Sequence, residues 1–206
     1  MKNVEIECKL DANTPRAFVR ATRFVRTLCP QVSGCVLHIK DTYLDHAARD
    51  LAAQKIALRV RNTNGKWEAT FKTCTQLING RAVRREETLP LPQASCLSQA
   101  LQALTKRKQW RNINVTQLVP QFTITNKRTV FLFDYDGATL EMALDNVTIC
   151  VLGRQLKFKE IEVELKRGSA KRLEKFSQLL MHQTQLKPAQ ISKVKTAECL
   201  LKLFQK

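Results

Sequence analysis

The chain has 206 residues and a formal net charge of +17, a length that suits one domain with a substantial hydrophobic core. The sequence contains no apolar run near the roughly 18 residues of a membrane helix, and it opens on a charged segment rather than a signal peptide. Its seven cysteines are scattered without a C-x-x-C pair. This argues against a disulfide framework or a zinc site, and we expect a cytoplasmic protein with no membrane partner.

The excess of positive charge indicates a polyanionic partner or substrate, such as nucleic acid, a phosphorylated metabolite or polyphosphate. The same charge is also compatible with a solvated surface that keeps the protein soluble. The net charge by itself does not choose among these interpretations.

In chain order, alternating apolar and polar residues predict a succession of strands joined by turns. The expected strands cover residues 3–10, 36–45, 55–62, 66–73, 81–89, 121–135, 138–151 and 156–166. Turns that contain glycine are expected at Asn64-Gly65, Asn79-Gly80, Asp136-Gly137 and Gly153. We find no linker and no internal repeat beyond an acidic strand pattern. The order predicts one α+β domain over residues 1–206, built on an antiparallel, barrel-like sheet.

Apolar residues at helical spacing predict four helices between or after these strands. Thr14-Pro15 is expected to start the first helix, and Ser169 can cap the third, over residues 170–184. The residues expected to be buried on the four helices are, in order, Phe18, Ala21, Val25 and Leu28; Leu97, Ala100, Leu101 and Leu104; Leu173, Phe176 and Leu180; and Val194, Ala197, Leu201 and Phe204.

Several strands carry charged residues on one face and apolar residues on the other. The first strand places Glu5, Glu7 and Lys9 on one face, and a similar acidic row returns over residues 160–166. Taken alone, each row is typical of a solvated strand. The middle strands repeat the division, with the charged residues Arg59, Arg61, Glu68, Lys72, Arg84, Glu86, Glu141 and Asp145.

The helices also need an apolar sheet face to cover, which favours an inverted barrel whose apolar residues point outward and whose charges point into a wet tunnel. Burying so many charges requires mutual pairing, water and a ligand. Carboxylates on one wall suit Mg²⁺ or Mn²⁺, and arginines and lysines on other walls suit phosphate oxygens. A tunnel that holds both fits a linear triphosphate.

The ordered motifs resemble those of CYTH-domain proteins in the triphosphate tunnel metalloenzyme family, over nearly the whole chain. The amino-terminal E-x-E-x-K signature is present at residues 5–9. The further matching segments are Tyr43-Leu44-Asp45, residues 56–61, Thr70-Phe71-Lys72, Arg84-Arg85-Glu86, Arg128 after Pro120 and Phe122, residues 140–145, residues 160–164, and Ser192-Lys193. Within the family, the chain is most similar to bacterial inorganic triphosphatases, some of which continue into a further helical domain. The resemblance implies a catalytic domain alone. The sequence leaves the oligomeric state open between a monomer and a homodimer.

The resemblance implies an eight-stranded antiparallel β-barrel tunnel with a charged interior, covered outside by helices. It also implies metal-dependent hydrolysis of inorganic tripolyphosphate by direct attack of water, with Mg²⁺ or Mn²⁺ as cofactor and without any need for nucleic acid. The implied catalytic residues are Glu5, Glu7 and Lys9. The implied phosphate-binding residues are Lys9, Arg59, Arg61, Lys72, Arg84, Arg128 and Lys193. The implied metal ligands are Glu5, Glu7, Glu141, Asp145, Glu160 and Glu162, with Glu164, Tyr43 and Asp45 held outside the set.

Three alternatives remain at this point. Thiamine triphosphatases and class IV adenylate cyclases use related tunnels, although no aromatic cluster or base-reading group that would favour either is recognisable here. A non-catalytic binder of polyphosphate, nucleotide or RNA would use the positive charge without a metal. The acidic strands argue against such a binder, because carboxylates repel a polyanion unless a cation intervenes.

Overall fold

The computed structural model describes the backbone of residues 3–78, 81–106 and 113–205, and the side chains of residues 5–72, 87–106 and 113–205. The strands within these ranges are β1 (Asn3–Asp11), β2 (Gly34–Asp45), β3 (Ile56–Thr63), β4 (Lys66–Ile78), β5 (Arg81–Pro90), β6 (Val119–Tyr135), β7 (Ala138–Val151), β8 (Arg154–Arg167) and β9 (Lys187–Pro188). The helices are α1 (Ala17–Leu28), α2 (Asp50–Ala53), α3 (Leu97–Thr105), α4 (Ala170–Thr184) and α5 (Lys193–Phe204), with a 3-10 turn at Val115–Gln117.

The strands form one antiparallel sheet in the order β5-β4-β3-β2-β6-β7-β8-β1-β9, and β1 also pairs with β5. Each of the eight long strands therefore has a neighbour on both sides. On β1 the two pairings are staggered, because residues 3–8 face β5 whereas residues 7–11 face β8. The β5–β1 pairing brings the two ends of the strand order together and gives the sheet an inner and an outer face.

Two-residue loops set the register of three of the hairpins. At Asn64-Gly65 both residues have positive φ, 49° and 87°, the conformation that matches the twist of the flanking strands. Asn62 Oδ1 accepts a hydrogen bond from Gly65 N at 3.0 Å and holds this turn closed. The hairpins β6–β7 and β7–β8 also turn through two residues of positive φ, at Asp136-Gly137 (50° and 78°) and Leu152-Gly153 (48° and 78°). The predicted Asn79-Gly80 turn lies outside the described residues.

The outer face of the sheet is apolar and lies beneath helices. Helices α1 and α4 cover residues of β1, β6, β7 and β8, including Leu10, Met142 and Val163. Helix α3 and the shorter α2 cover β3 and its neighbours, including Leu58 and Val60. Because strand residues alternate between faces, the charged residues that separate these apolar side chains point to the inner face.

Helix α5 differs from the others because it packs against the inner face. Its buried residues Ala197 and Leu201 contact a cluster that includes Ile124, Val147 and Ile149. Those β7 residues share the inner face with the charged part of the strand, so the inner surface changes from acidic to apolar along β7. The apolar end gives α5 a hydrophobic surface to bury, and the start of the helix consequently lies beside the charged end.

The predicted α+β architecture of antiparallel strands with helices outside is confirmed, with four differences. A short ninth strand pairs with β1, and α5 lies inside rather than outside. Leu28, the last residue of α1, is 41% exposed, although it lies in line with the buried Ala17, Ala21 and Val25. Ser169 occupies the position before α4 but makes no capping hydrogen bond within the described residues. None of the described helices has both the length and the apolar character needed to cross a membrane.

The connection from β8 to α4 requires a glycine, which gives a test of the fold. Gly168 has φ +108°, and a Cβ there would lie 2.8 Å from Ala138 Cβ and 2.9 Å from Ala138 Cα. We expect Gly168→Ala to lower the free energy of unfolding by about 1–2 kcal/mol for backbone strain and by about 1–3 kcal/mol more for overlap. Equilibrium urea unfolding measures the loss.

The matched control is Gly153→Ala. Gly153 also has positive φ, +78°, but a Cβ there would meet no described atom within 4 Å. We expect only the strain cost, about 1–2 kcal/mol. Equal losses in the two variants would contradict the close packing of Gly168 against β7.

Candidate active site

The inner face of the sheet and the start of α5 enclose a cavity of about 990 Å³. Among the described residues that line it, nine are cationic and six are anionic. The cations are Lys9, Lys55, Arg59, Arg61, Lys72, Arg128, Lys166, Lys193 and Lys195, and the anions are Glu5, Asp41, Glu141, Glu162, Glu164 and Glu198. The buried acids Glu7, Asp145 and Glu160 also contact these lining lysines, so the described charges balance. It is the separation of cations and acids onto different walls that favours an anionic ligand bound together with a cation.

Three buried carboxylates converge at one end of the charged interior. One oxygen from each of Asp145, Glu160 and Glu162 lies within 4.8 Å of the other two. The register explains the convergence, because Asp145 on β7 is directly opposite Glu160 on β8, and Glu162 follows two residues later on the same face. Ala143 is opposite Glu162, and its small side chain leaves room for the longer carboxylate.

Three cations balance this cluster. Lys193 Nζ contacts all three carboxylates and lies 2.9 Å from Asp145 Oδ2 and 2.7 Å from Glu162 Oε1. Lys9 Nζ forms a short contact with Glu162 and lies 3.8 Å from Glu160 Oε1. Arg128 binds Asp145 through two parallel hydrogen bonds of 2.7 and 2.6 Å and also contacts Glu162. The paired charges offset the large cost of burying each one alone.

The network shifts the pKa values of the three acids in different directions. Burial raises the pKa of Glu160 to about 7, although Lys193 and Lys9 oppose the shift. Burial acts in the same direction on Glu162, but the surrounding cations outweigh it and hold the pKa of Glu162 well below its usual range. Asp145 follows Glu162, because Lys193 and Arg128 lower its pKa against the effect of burial. One of the three acids therefore titrates near neutral pH.

The opposite wall is an arginine surface held by one aspartate. Asp41 on β2 accepts hydrogen bonds from Arg61 Nε and Nη2 at 2.7 and 2.8 Å, and Arg59 Nη1 lies 3.6 Å away. Arg59 Nη2 donates to Thr70 Oγ1 at 3.1 Å. Burial would raise the pKa of Asp41, but Arg59, Arg61 and Lys72 lower it, so it stays ionised. The pairing orders two guanidinium groups that face the cavity.

A second acidic group lies along the row where β7, β8 and β1 meet. Glu141 is opposite Glu164, and Glu164 is opposite Glu7. Lys166 Nζ lies 3.0 Å from Glu164 Oε1 and 3.8 Å from Glu141 Oε2. Glu7 is only 2% exposed, and its Oε2 lies 3.0 Å from Lys9 Nζ. Glu5, on the same face of β1, lines the cavity.

Most of the residues predicted from sequence meet in this interior. Lys9, Arg59, Arg61, Lys72, Arg128, Lys193, Glu5, Glu141 and Glu162 line the cavity, while Glu7, Asp145 and Glu160 are buried against those lining residues. The backbone of Arg84 is opposite Glu5, but its side chain lies outside those described. Three of the six predicted metal ligands form the compact cluster, whereas Glu5, Glu7 and Glu141 are not part of it.

Sequence reasoning missed several residues of the interior, above all Asp41, Asn126 and Lys166. Period-two alternation could have found Asp41, because it shares a strand face with Tyr43. Asp45, held outside the predicted site, has a structural role: Oδ1 accepts hydrogen bonds from His46 N and Leu51 N at 2.8 and 2.9 Å. It therefore fixes the loop that leads into α2.

The carboxylate cluster fits a divalent cation by the chemistry of its donors. Mg²⁺ and Mn²⁺ prefer carboxylate oxygens, and Asp145, Glu160 and Glu162 each offer one such atom within reach of the others. In the metal-free protein, the negative charge of the three acids is balanced by the three cations that contact them. The cluster could hold a metal ion.

The chain is similar in sequence and in fold to several known proteins. An inorganic triphosphatase of Haemophilus influenzae is 29% identical over 159 residues, which is 77% of this chain and 45% of that protein. The chain thus spans less than half the length of this curated relative. Among solved structures, a putative adenylyl cyclase from Hippeastrum, described as having a dominant triphosphatase activity, superposes with a TM-score of 0.68 at 19% identity, covering 95% of both chains.

The RNA triphosphatase domain of the mimivirus mRNA capping enzyme superposes with a TM-score of 0.54 at 13% identity and covers 89% of this chain and 90% of that one. At such low identities, the two superpositions establish a shared fold. The model of the CYTH domain matches residues 3–197. Since that range is nearly the whole chain, the protein belongs to the CYTH domain family.

Proposed function

We propose that the protein is a triphosphatase that hydrolyses inorganic tripolyphosphate to pyrophosphate and phosphate with Mg²⁺ or Mn²⁺. The observation that carries the proposal is one cavity with arginines and lysines on one wall and, on the other, Glu162 of a buried three-carboxylate cluster. Its substrate is the small triphosphate alone, with no role for nucleic acid. The free energy of binding comes from charge, because Tyr43 is the single aromatic side chain among the described lining residues and its ring already stacks on Phe122 at 4.8 Å within a buried cluster.

The arginine wall binds the phosphoryl groups. Arg59 and Arg61 present guanidinium forks, which match phosphate oxygens in a bidentate manner, and Lys72 adds a point charge next to them. Asp41 holds both arginines before the substrate arrives, so little side-chain entropy is lost on binding. Arg128, with its two bonds to Asp145, extends the cationic surface towards the carboxylates.

The acidic wall binds the metal and positions the attacking water and the reacting phosphoryl group. Asp145, Glu160 and Glu162 would hold the metal, which when bound neutralises charge on the phosphoryl oxygens. Glu5 and Glu7, with Lys9, orient the attacking water and the reacting group for in-line displacement. We expect no covalent intermediate. Ser192 lines the cavity, but its Oγ accepts a hydrogen bond from Lys195 N and caps α5.

The decisive experiment measures phosphate release from tripolyphosphate, ATP and thiamine triphosphate, each with Mg²⁺, Mn²⁺ or EDTA. We expect metal-dependent turnover of tripolyphosphate and none in EDTA. Glu162→Gln, with folding checked by circular dichroism, should lose most of that turnover because it removes a buried ligand. Preference for ATP or thiamine triphosphate would show that the protein is a related enzyme with a different triphosphate substrate. Tight polyanion binding without turnover under any condition would make the protein a binding module.

Arg59→Ala tests the phosphate wall. We expect it to raise the KM or Kd for tripolyphosphate, because it removes a charge-assisted contact of about 2–3 kcal/mol, one to two decades in affinity. Steady-state kinetics and calorimetry measure the change. Arg49→Ala is the matched control, since Arg49 pairs with Asp45 outside the cavity and should leave both constants unchanged. Equal kinetics in the two variants would refute the role of the wall.

The protonation of Glu160 predicts a pH dependence of metal affinity. Its pKa of about 7 lies above the ordinary value of 4.5, so below pH 7 the group is a neutral carboxyl and a poor ligand. We expect the affinity for Mn²⁺ to fall as the pH drops from 8 to 6, with proton release on binding. Calorimetry in buffers of different ionisation enthalpy measures both. In Glu160→Gln the affinity for Mn²⁺ should be weaker and should not change between pH 6 and 8. An equally steep pH dependence in this variant would show that a group other than Glu160 titrates.

A further inference from the structure

We propose that the ammonium group of Lys193 occupies the metal position in the metal-free protein. When the metal binds, the Lys193 side chain moves from the carboxylate cluster to the triphosphate. This inference rests on the proposed metal-dependent function and adds a coupling to it. Lys193 would then have two states: bound to carboxylates in the metal-free protein, and bound to phosphate in the loaded one.

The position of one atom supports the exchange. Lys193 Nζ contacts a carboxylate oxygen of each of Asp145, Glu160 and Glu162, the three residues whose ligand atoms converge within 4.8 Å. A cation that binds the same three oxygens needs the space that the ammonium occupies. Two positive charges in that space would also repel each other strongly, because little water is present to screen them.

Accessibility points to the same exchange. Lys193 and Glu162 line the cavity, but Asp145 and Glu160 do not. Their exposures are 0% and 2%, and both contact the ammonium group of Lys193. A metal ion that arrives through the cavity would therefore gain its full set of ligands only after this side chain has moved.

Of the three cations at the cluster, Lys193 is the one placed to move. Lys9 lies within β1 opposite Glu162, and the two parallel bonds of Arg128 to Asp145 fix its guanidinium. Lys193 is the first residue of α5, and its side chain is 14% exposed, against 4% for that of Lys9. Its long side chain can swing its head group without moving the buried part of the helix.

The exchange predicts opposite effects of one substitution on two ligands. Without its ammonium group, residue 193 no longer competes for the carboxylates, so the metal should bind more tightly. The triphosphate should bind more weakly, because it loses a cation. Each effect should be about tenfold or more, the scale of one charge-assisted hydrogen bond. A purely structural lysine would not shift the two affinities in opposite directions.

The experiment uses the wild type, Lys193→Met and Lys202→Met. Lys202 is an exposed lysine on the last turn of α5 and controls for charge removal from the helix. The probes are Mn²⁺ alone, measured by calorimetry, and tripolyphosphate in saturating Mn²⁺, the state in which Lys193 would contact phosphate, measured by its KM. We expect Lys193→Met to lower the Kd for Mn²⁺ and raise the KM for tripolyphosphate, and Lys202→Met to change neither. An unchanged or higher Kd for Mn²⁺ in Lys193→Met would overturn the exchange.

A rescue measurement covers the case in which Lys193→Met folds poorly. In Lys193→Ala, added ethylammonium should compete with Mn²⁺ and raise its Kd, while the wild type should not respond; no competition would overturn the exchange. The two proposals fail in different ways. Mn²⁺ binding and turnover by the wild type, without tighter binding in Lys193→Met, would overturn only the exchange. Absence of Mn²⁺ binding in every protein, together with turnover that ignores EDTA, would overturn both.

Discussion

The buried contact between Lys193 and the carboxylates of Asp145, Glu160 and Glu162 is the interaction on which the rest of the interior depends. Three acids so close together could not remain ionised in a protein interior without partners. Lys193 contacts all three, and two further cations complete the balance. The arrangement is costly to break one residue at a time, because each deletion leaves an uncompensated charge. Such a network adds little net stability by itself, and its main effect is to orient the groups that it contains.

Helix α5 makes this interaction possible by packing on the inside of the sheet. Ala197 and Leu201 bury against the apolar end of the inner face, and Arg154 lies over the ring of Phe204 at 4.4 Å. Both contacts anchor the later turns of the helix. Hydrophobic packing therefore sets the height at which the first residue of α5 enters the charged region. The same helix closes part of the interior and supplies one of its cations.

The two charged walls have different physical characters. The carboxylate wall is compact and buried, and its charges are already compensated by neighbouring lysines and an arginine. The arginine wall is more open, and one aspartate, Asp41, orders two guanidinium groups that still face the cavity. In the proposed function, an incoming polyanion meets the cations of the arginine wall first. Under the proposed exchange, the acids stay paired with their lysines until a metal ion displaces Lys193, so the carboxylate wall would control metal access.

The sequence by itself determined the succession of strands along the chain, the charged face of most of these strands and the family to which the pattern belongs. Period-two alternation is a local property. Glu5 and Lys9 could therefore be placed on one face of their strand, and Arg59 and Arg61 on one face of theirs, before any contact was known. The tertiary structure decided which charges meet. Partners such as Lys9 and Glu162 are separated by 153 residues, and only strand register sets them opposite each other. It also placed α5 inside, because an apolar helix stripe does not specify which apolar surface it will cover.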